Sequence, residues 1–201
     1  MGESLTRTEI RMEKTKENII NSALEVFDEY GYIKAKVSDI TEKANVGYGT
    51  FYQYFKNKQG LLIFLIEEMS NHIGDYIYLK NHKGLDIKER LYYGVLDILN
   101  FYIKYKTIFL IIKEAEANDI KFANSERKIQ ENLFKRIDHD IKYFIKKGYC
   151  RDGVGDEMIV AISCMIDGYA RQMLKIPEEK IYTVTIAKTL TEVSYNILFK
   201  E

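Results

Sequence analysis

The sequence predicts an almost all-α protein of about nine helices, with a small helical domain over residues 1–60 and a larger one over 61–201. Three observations carry that prediction. Pro177 is the only proline in 201 residues, so little interrupts a helix. Long stretches rich in Leu, Ile, Lys, Glu and Ala show no strand-like alternation, and their apolar residues recur at spacings of three and four. The hydrophobic fraction of 46% is ample for a core, which argues against disorder as the main state.

Each element has its own signals. Residues 1–14 mix Arg7, Arg11 and Lys14 with Glu3, Glu9 and Glu13, and read either as a loose start or as a basic-tinged arm able to touch phosphate. A first helix is expected from Thr15, whose side chain suits an N-cap. Ile19, Ile20, Ala23, Val26, Phe27 and Tyr30 form its inward stripe and Gly31 stops it. A second, short helix follows over 37–45, with Ile40 and Ala44 one turn apart on its inner side. Asn45 and Gly47 bracket a turn, and a third helix starts near Tyr48. So short a helix does not stand alone, and Phe51 and Phe55 must anchor it. Asn57 caps a fourth helix, whose apolar face runs through Leu61, Leu62, Leu65, Met69, Ile73 and Tyr76. After a break at 81–84, helices are expected near 87–105, 107–118, 125–147, 156–175 and 178–199.

Composition excludes several function classes. Cys150 and Cys164 lie too far apart for a C-x-x-C motif and have no third partner for a zinc site, which reads as reduced thiols. No apolar signal segment opens the chain and no apolar run approaches the roughly 20 residues of a membrane span, so a soluble, cytoplasmic protein without membrane contact is expected. No G-x-S-x-G, H-E-x-x-H or phosphate-loop pattern occurs, and His72, His82 and His139 are isolated. Neither an enzyme, a metal site nor a cofactor is expected.

The stretch from Val37 to Lys58 is the informative one. Its two short helices, joined by a turn and followed by a third helix start, have the organisation of a helix-turn-helix DNA reader. Thirty basic and 30 acidic residues cancel over the whole chain, so charge must be read locally. Between Lys34 and Lys58, five lysines face two acids, leaving a modest basic patch on the suspected reader. Tyr48, Thr50, Gln53 and Tyr54 point away from the Phe51/Phe55 face and are the side chains expected at bases or the adjoining backbone. Gln53 suits a bidentate pair with adenine, and Thr50 suits a thymine methyl or a phosphate. Lys58 is expected to meet phosphate together with the free amides of its helix. Gly47 and Gly49 are read as permitting unusual backbone angles and a close approach to the sugar-phosphate rail.

The run V-S-D-I-T-E-K-A-N-V-G-Y-G-T-F-Y-Q-Y-F-K-N-K-Q-G-L-L resembles the DNA-binding signature of the TetR family of one-component transcriptional repressors. The family pattern I-A-x-x-A-G-V-S-x-G-T-x-Y-x-Y-F-x-x-K-x-x-L is matched by Ile40, Ala44, Val46, Gly49, Thr50, Tyr52, Tyr54, Phe55, Lys58 and Leu61. The resemblance covers roughly residues 15–62. It implies DNA contacts from Gly49, Thr50, Tyr52, Tyr54 and Lys58, with Tyr52 and Lys58 on phosphates. Three departures stand out. Asn45 replaces the usual turn glycine, Gly47 stands where a serine normally caps the third helix, and Lys36 with Val37 occupies the usual threonine cap of the second. Ser38 is then expected to cap one residue late, and Lys36 to supply a phosphate contact by charge.

The second region concentrates aromatics and flexible apolars, which either fill a core or line an apolar pocket. The resemblance implies the pocket and a small apolar effector, with Phe101, Tyr105, Phe109, Ile112, Phe134, Met165 and Tyr169 as candidate lining. Glu114 and Glu116 are candidate polar handles, and I-K-E-A-E-A-N-D followed by Phe122 resembles members that sense lipid-like or acyl ligands. The last two helices carry more apolar surface than one helix pair can hide, and Ala161, Gly168 and Ala170 permit close approach. The resemblance implies a homodimer through these helices, reading palindromic double-stranded operator DNA. A DNA-binding architectural factor without ligand is the alternative.

Overall fold

The computed structural model describes residues 6–76, 84–177 and 181–199, and all regular structure of any length among them is helical. The helices are α1 (Arg7–Tyr30), α2 (Val37–Lys43), α3 (Tyr48–Tyr54), α4 (Lys58–Tyr76), α5 (Ile87–Lys104), α6 (Lys106–Asn118), α7 (Ser125–Lys146), α8 (Asp156–Met173) and α9 (Thr183–Leu198), with a 3-10 turn at Ile120–Phe122. Most of the expected break after α4, and the expected helical residues 178–180, lie outside the described residues.

The first helix begins eight residues before Thr15. Thr6 Oγ1 accepts from the Glu9 amide at 3.3 Å and Glu9 Oε2 accepts from the Thr6 amide at 2.7 Å, a reciprocal cap that satisfies two otherwise orphan donors. Thr15, expected as the cap, instead sits within the helix and donates to the Arg11 carbonyl at 2.9 Å. Gly31 ends α1 at φ 76°, in the left-handed region that favours glycine.

The described residues divide into two compact units. One is drawn from the chain up to Glu67 together with Leu110–Ala123; the other is drawn from Glu68–Phe109 and from Asn124 onward. The boundary placed at residue 60 from sequence falls inside α4, and a segment from the middle of the chain joins the first unit.

In the first unit Ile19, Ala23, Val26 and Phe27 of α1 are buried with Ile40, Phe51, Phe55, Leu61 and Leu62. Phe51 is wholly buried, its ring 5.8 Å from that of Phe55. Truncating such a phenylalanine costs roughly 3–5 kcal/mol, which is what holds a helix of seven residues in place. In the second unit α5, α7, α8 and α9 bury Leu91, Val95, Ile98, Leu99, Ile129, Leu133, Ile137, Ile141, Phe144, Ile162, Ile166 and Leu190.

Candidate DNA-reading site

The turn between α2 and α3 is built by hydrogen bonds and one special backbone angle. Ala44 closes α2, Asn45 takes φ 50°, and the Val46 amide donates to the Thr41 carbonyl at 3.0 Å. Asparagine tolerates that left-handed angle at modest cost, so it replaces a turn glycine without breaking the motif. Asn18 of α1 donates to the Ala44 carbonyl at 2.7 Å and ties the turn to the first helix. Gly47 then precedes α3 at φ −66° and Gly49 shows no positive φ, which corrects the expectation of unusual angles at these glycines. What survives is close approach: nothing lies within 4 Å of a Cβ placed on Gly49, whose outer face is open.

Tyr48 and Tyr52 are exposed by 55% and 46%, large fractions for rings of this size. They meet edge-on at 5.3 Å with their hydroxyls 3.4 Å apart, forming a paired aromatic ledge one turn long. Gln53 is exposed beside them, while Thr50 and Tyr54 are half-buried. The helix therefore presents one polar side, Tyr48, Gly49, Tyr52 and Gln53, opposite the Phe51 anchor.

At the start of α2 the Lys36 amide donates to Asp39 Oδ2 at 2.9 Å. Ser38 does not cap; its hydroxyl donates to Asp39 Oδ1 at 3.2 Å and stays exposed. Asp39 can do this because it lies three residues on, one turn above the orphan amide. Lys36 remains exposed and available to an anion.

Lys58 is placed differently from the expectation. Its ammonium donates to the carbonyls of Tyr32 (2.6 Å), Ile33 (3.1 Å) and Ala35 (2.7 Å) and lies 4.6 Å from the Tyr32 ring centre. An ammonium has three protons, and here all three are used inside the protein. Burial holds its pKa below the usual lysine value, with the charges of Glu114 and Asp39 opposing that shift. The structure corrects its assignment from a phosphate contact to an internal cap.

The same turn is held from its other side by a residue that sequence reasoning placed elsewhere. Glu114, on the part of α6 within the first unit, accepts from the Tyr32 amide at 2.7 Å and from the Ile33 amide at 3.2 Å. Its oxygens lie 3.2 and 3.3 Å from where a Cβ on Gly31 would stand. The turn entering α2 is thus clamped by a carboxylate on its amides and an ammonium on its carbonyls. No local signal announces a pairing between residues 82 positions apart, and these bonds correct the expectation of Glu114 as a polar handle of a pocket.

The candidate effector residues fall into separate groups. Phe101, Tyr105 and Phe109 are buried together in the second unit, with Phe101 4.8 Å from Tyr105 and 6.3 Å from Phe109. Phe134 and Met165 are half-buried in that unit, whereas Ile112 and Glu116 belong to the first. Tyr169 is 46% exposed on α8, which corrects its assignment to a pocket lining. Tyr102, which the candidate set leaves out, stacks on Phe109 at 4.6 Å and 2° and donates to Asp167. Asp167 also accepts from Gln130 at 2.5 Å and Arg171 at 2.8 Å, and Arg171 pairs with Glu126. Burial pushes the Asp167 carboxyl up from its ordinary range, and the bonds from Tyr102 and Gln130 oppose it. A separate cavity of about 40 Å³ lies among Leu91, Gly94, Val95, Ile98, Ile137 and Ile162, room for about one water. Among the described residues, no helix is long and apolar enough to cross a membrane.

Comparison with known proteins places this geometry. The model of bacterial regulatory proteins of the tetR family matches residues 19–64, which contain the clamped turn and α3. The uncharacterized HTH-type transcriptional regulator YvdT of Bacillus subtilis is 40% identical over 83 residues, 41% of this chain and 40% of that protein. The fatty acid metabolism regulator protein of the same organism is 43% identical over 72 residues, 36% of this chain and 34% of that protein. The chain thus spans well under half the length of these two relatives. The uncharacterized regulator YhgD of B. subtilis, however, is 30% identical over 139 residues, 66% of this chain and 70% of that protein. Among solved structures, a putative TetR-family regulator from Mesorhizobium loti has a TM-score of 0.77 at 13% identity, covering 98% of this chain and 100% of that one. FadR from B. subtilis in complex with stearoyl-CoA has a TM-score of 0.68 at 22% identity, covering 89% and 97%. With an anchored α3, an open polar side on it and relatives that share the helices behind it, the chain belongs to the TetR family of helix-turn-helix DNA-binding transcriptional regulators, a family of regulators and not of enzymes.

Proposed function

We propose that the chain is a repressor that binds a palindromic operator as a homodimer and leaves it when a small apolar effector binds the second unit. The observation that carries the reading is α3 itself: Phe51 fixes it from behind while Tyr48, Tyr52 and Gln53 stand exposed on a helix narrow enough for a major groove. Sitting on an operator blocks other proteins from that DNA, which is repression in its simplest form.

Dimerisation is supported by apolar side chains left outside on the last two helices. Met158, Val160 and Tyr169 of α8 and Val184 and Val193 of α9 are all exposed, and an exposed Gly168 leaves room for a close partner. Two copies related by a twofold would offer two reader helices to half-sites about 34–36 Å apart. An effector that binds better to a conformation with another spacing lowers operator affinity by the same factor as the operator lowers effector affinity.

The effector reading draws on the relatives. One is a fatty acid metabolism regulator, and FadR holds stearoyl-CoA. The Phe101, Tyr102, Tyr105 and Phe109 cluster, with Asp167 as a buried polar group, suits an apolar chain carrying one polar end. The tight packing of that cluster, with Tyr102 and Phe109 in face-to-face contact, favours the second reading, an architectural DNA-binding factor without ligand.

The test is selection of binding sites from a random duplex pool, followed by release with acyl thioesters and free fatty acids. A palindromic consensus, its loss in Gln53→Ala and Tyr52→Ala, and release by one ligand class are expected. A consensus without release by any ligand supports the architectural factor, and binding indifferent to both substitutions removes α3 as the reader.

A further inference from the structure

The basic surface of the first unit is not confined to the lysines around the reader. On α1, extending the helix to Arg7 places Arg7, Arg11 and Lys14 at i, i+4 and i+7, on one face. Glu9 and Glu13 fall on the far side of the helix, and Glu17 lies at i, i+3 from Lys14. Opposite charges stand at i, i+3 in Glu13/Lys16 and Lys14/Glu17, but Arg7 has Arg11 at i, i+4 and Arg11 has Lys14 at i, i+3. Like-charge neighbours cost a few tenths of a kcal/mol per pair, a cost that an external polyanion along Arg7, Arg11 and Lys14 would offset.

The basic face lines an open groove of about 620 Å³ whose other wall is the end of α2 and the turn into α3, Lys43 to Val46. Among the described residues no ion pair involves Arg7, Arg11 or Lys14, and all are exposed. Lys43 is different: Glu25 and Glu29 already hold its ammonium at 3.0 and 3.7 Å. The groove therefore carries three uncommitted cations along about 10 Å of helix, at 1.5 Å per residue. One DNA strand offers a phosphate about every 3.4 Å of axis, so that length faces about three.

We propose that Arg7, Arg11 and Lys14 form a phosphate rail that grips the duplex beside the bases faced by α3. The argument for DNA as the occupant is continuity: the groove's far wall, Ala44 to Val46, leads without a break into Gly47 and the reader helix. The proposal rests on the reading of α3 as the DNA reader. It adds that binding strength comes in part from a helix outside the helix-turn-helix, and that the footprint extends beyond the bases read.

Its test separates the two ideas. Fluorescence anisotropy with a non-specific duplex, run from 50 to 200 mM salt, compares wild type, Arg7→Ala/Arg11→Ala/Lys14→Ala and Glu13→Gln/Glu17→Gln. Alanine keeps helix propensity high, and far-ultraviolet dichroism verifies that the helix is retained. Three lost phosphate contacts lower the slope of log Kd against log salt by about 2.7 per protomer engaged, so the wild type's advantage shrinks about 40-fold across that range. The acidic-face variant leaves the slope unchanged. A slope unchanged in the triple variant, or equal and opposite changes in the two variants, which would mean net charge alone, overturns the rail. So does loss of binding to anionic phospholipid vesicles with DNA binding intact. A parallel titration with Gln53→Ala on selected operator DNA reports on α3: lost base specificity with an undiminished salt slope is the expected pattern. Failure of that arm alone removes the reader assignment and leaves the rail standing on its own measurement.

Discussion

Removing the Glu114 carboxylate should loosen the entrance to the helix-turn-helix without touching any residue proposed to face DNA. The bonds from the amides of Tyr32 and Ile33 to this charged acceptor are charge-assisted, a kind worth about 1.5–3 kcal/mol each when well sheltered. Only the Tyr32 bond is part-buried, and the Ile33 bond is exposed and longer, so about 1.5 kcal/mol for the first and about 0.5 for the second is the better estimate. Glu114→Ala should therefore cost about 2 kcal/mol, which for a chain of this size lowers Tm by roughly 4–8 °C. Glu114→Gln keeps one acceptor oxygen and should lose about half as much. Lys113→Ala, on the exposed neighbour, is the control and should move little.

The functional consequence follows from where the clamp sits. If the turn must be ordered for α2 to present Lys36, the ordering that Glu114 supplies in the free protein has to be supplied at binding in the variant. That weakens DNA binding by up to the same 2 kcal/mol, roughly 30-fold, with base preference unchanged. Differential scanning calorimetry and anisotropy titration on one DNA sequence measure both. A Tm for Glu114→Ala within a degree of the Lys113→Ala control would refute the clamp, and an unchanged Kd with a lowered Tm would confine it to stability.

Tyr32→Phe should stabilise the protein at pH 7 by up to about 1 kcal/mol, because the Tyr32 hydroxyl is buried and finds no partner among the described residues, while the ring keeps its place over Lys58. In the wild type burial, with the charges of Asp119 and Glu114, pushes the Tyr32 phenol up to about 12 from 10, so the folded state holds the proton more tightly than the unfolded one. Stability from this group is complete below pH 10 and lost as pH rises to about 12; urea midpoints should fall across that window in the wild type and fall less in Tyr32→Phe. Gly47→Ser should be nearly neutral for folding, since φ is −66° and the new Cβ would meet Thr50 Oγ1 at an ordinary 3.6 Å, yet it restores a hydroxyl at the mouth of α3. Its expected signature is a several-fold lower Kd for DNA with Tm within about 1 °C. Gly168→Arg should leave the melting of the chain intact, because nothing lies within 4 Å of the position, and convert a dimer to monomers in light scattering. A dimer that persists would place the interface elsewhere.

Much of the fold was legible because helices advertise themselves locally. The stripe Ile19, Ala23, Val26 and Phe27, the anchor pair Phe51 and Phe55, and the Asn57 side chain, which accepts from the Gly60 amide at 2.8 Å, were all found from spacing and residue type. The start of α1 was missed although its signal was present: Thr6 and Glu9 form a capping box, but charged residues on every side hid the helix from a reading based on apolar periodicity. The partners of Lys58 and Glu114 lay beyond any such reading. Spacing says that a lysine sits at the first turn of α4, not whether its ammonium faces a phosphate outside or three carbonyls within. Burial of that side chain is decided by the path of the chain from Gly31 to Ala35, and that path is set in turn by a residue on α6.

That dependence bears on how the reader could be governed. α6 runs unbroken from Lys106 to Asn118, and the division between the two units falls within it, after Phe109. Phe109 stacks on Tyr102, whose hydroxyl is bonded to Asp167; five residues along the same helix, Glu114 holds the turn that admits the chain to α2. The double variant Phe109→Ala/Glu114→Ala, set against the two single variants, measures whether the sites are independent: independent sites give additive losses of stability, and an interaction energy of about 0.5 kcal/mol or more rejects independence.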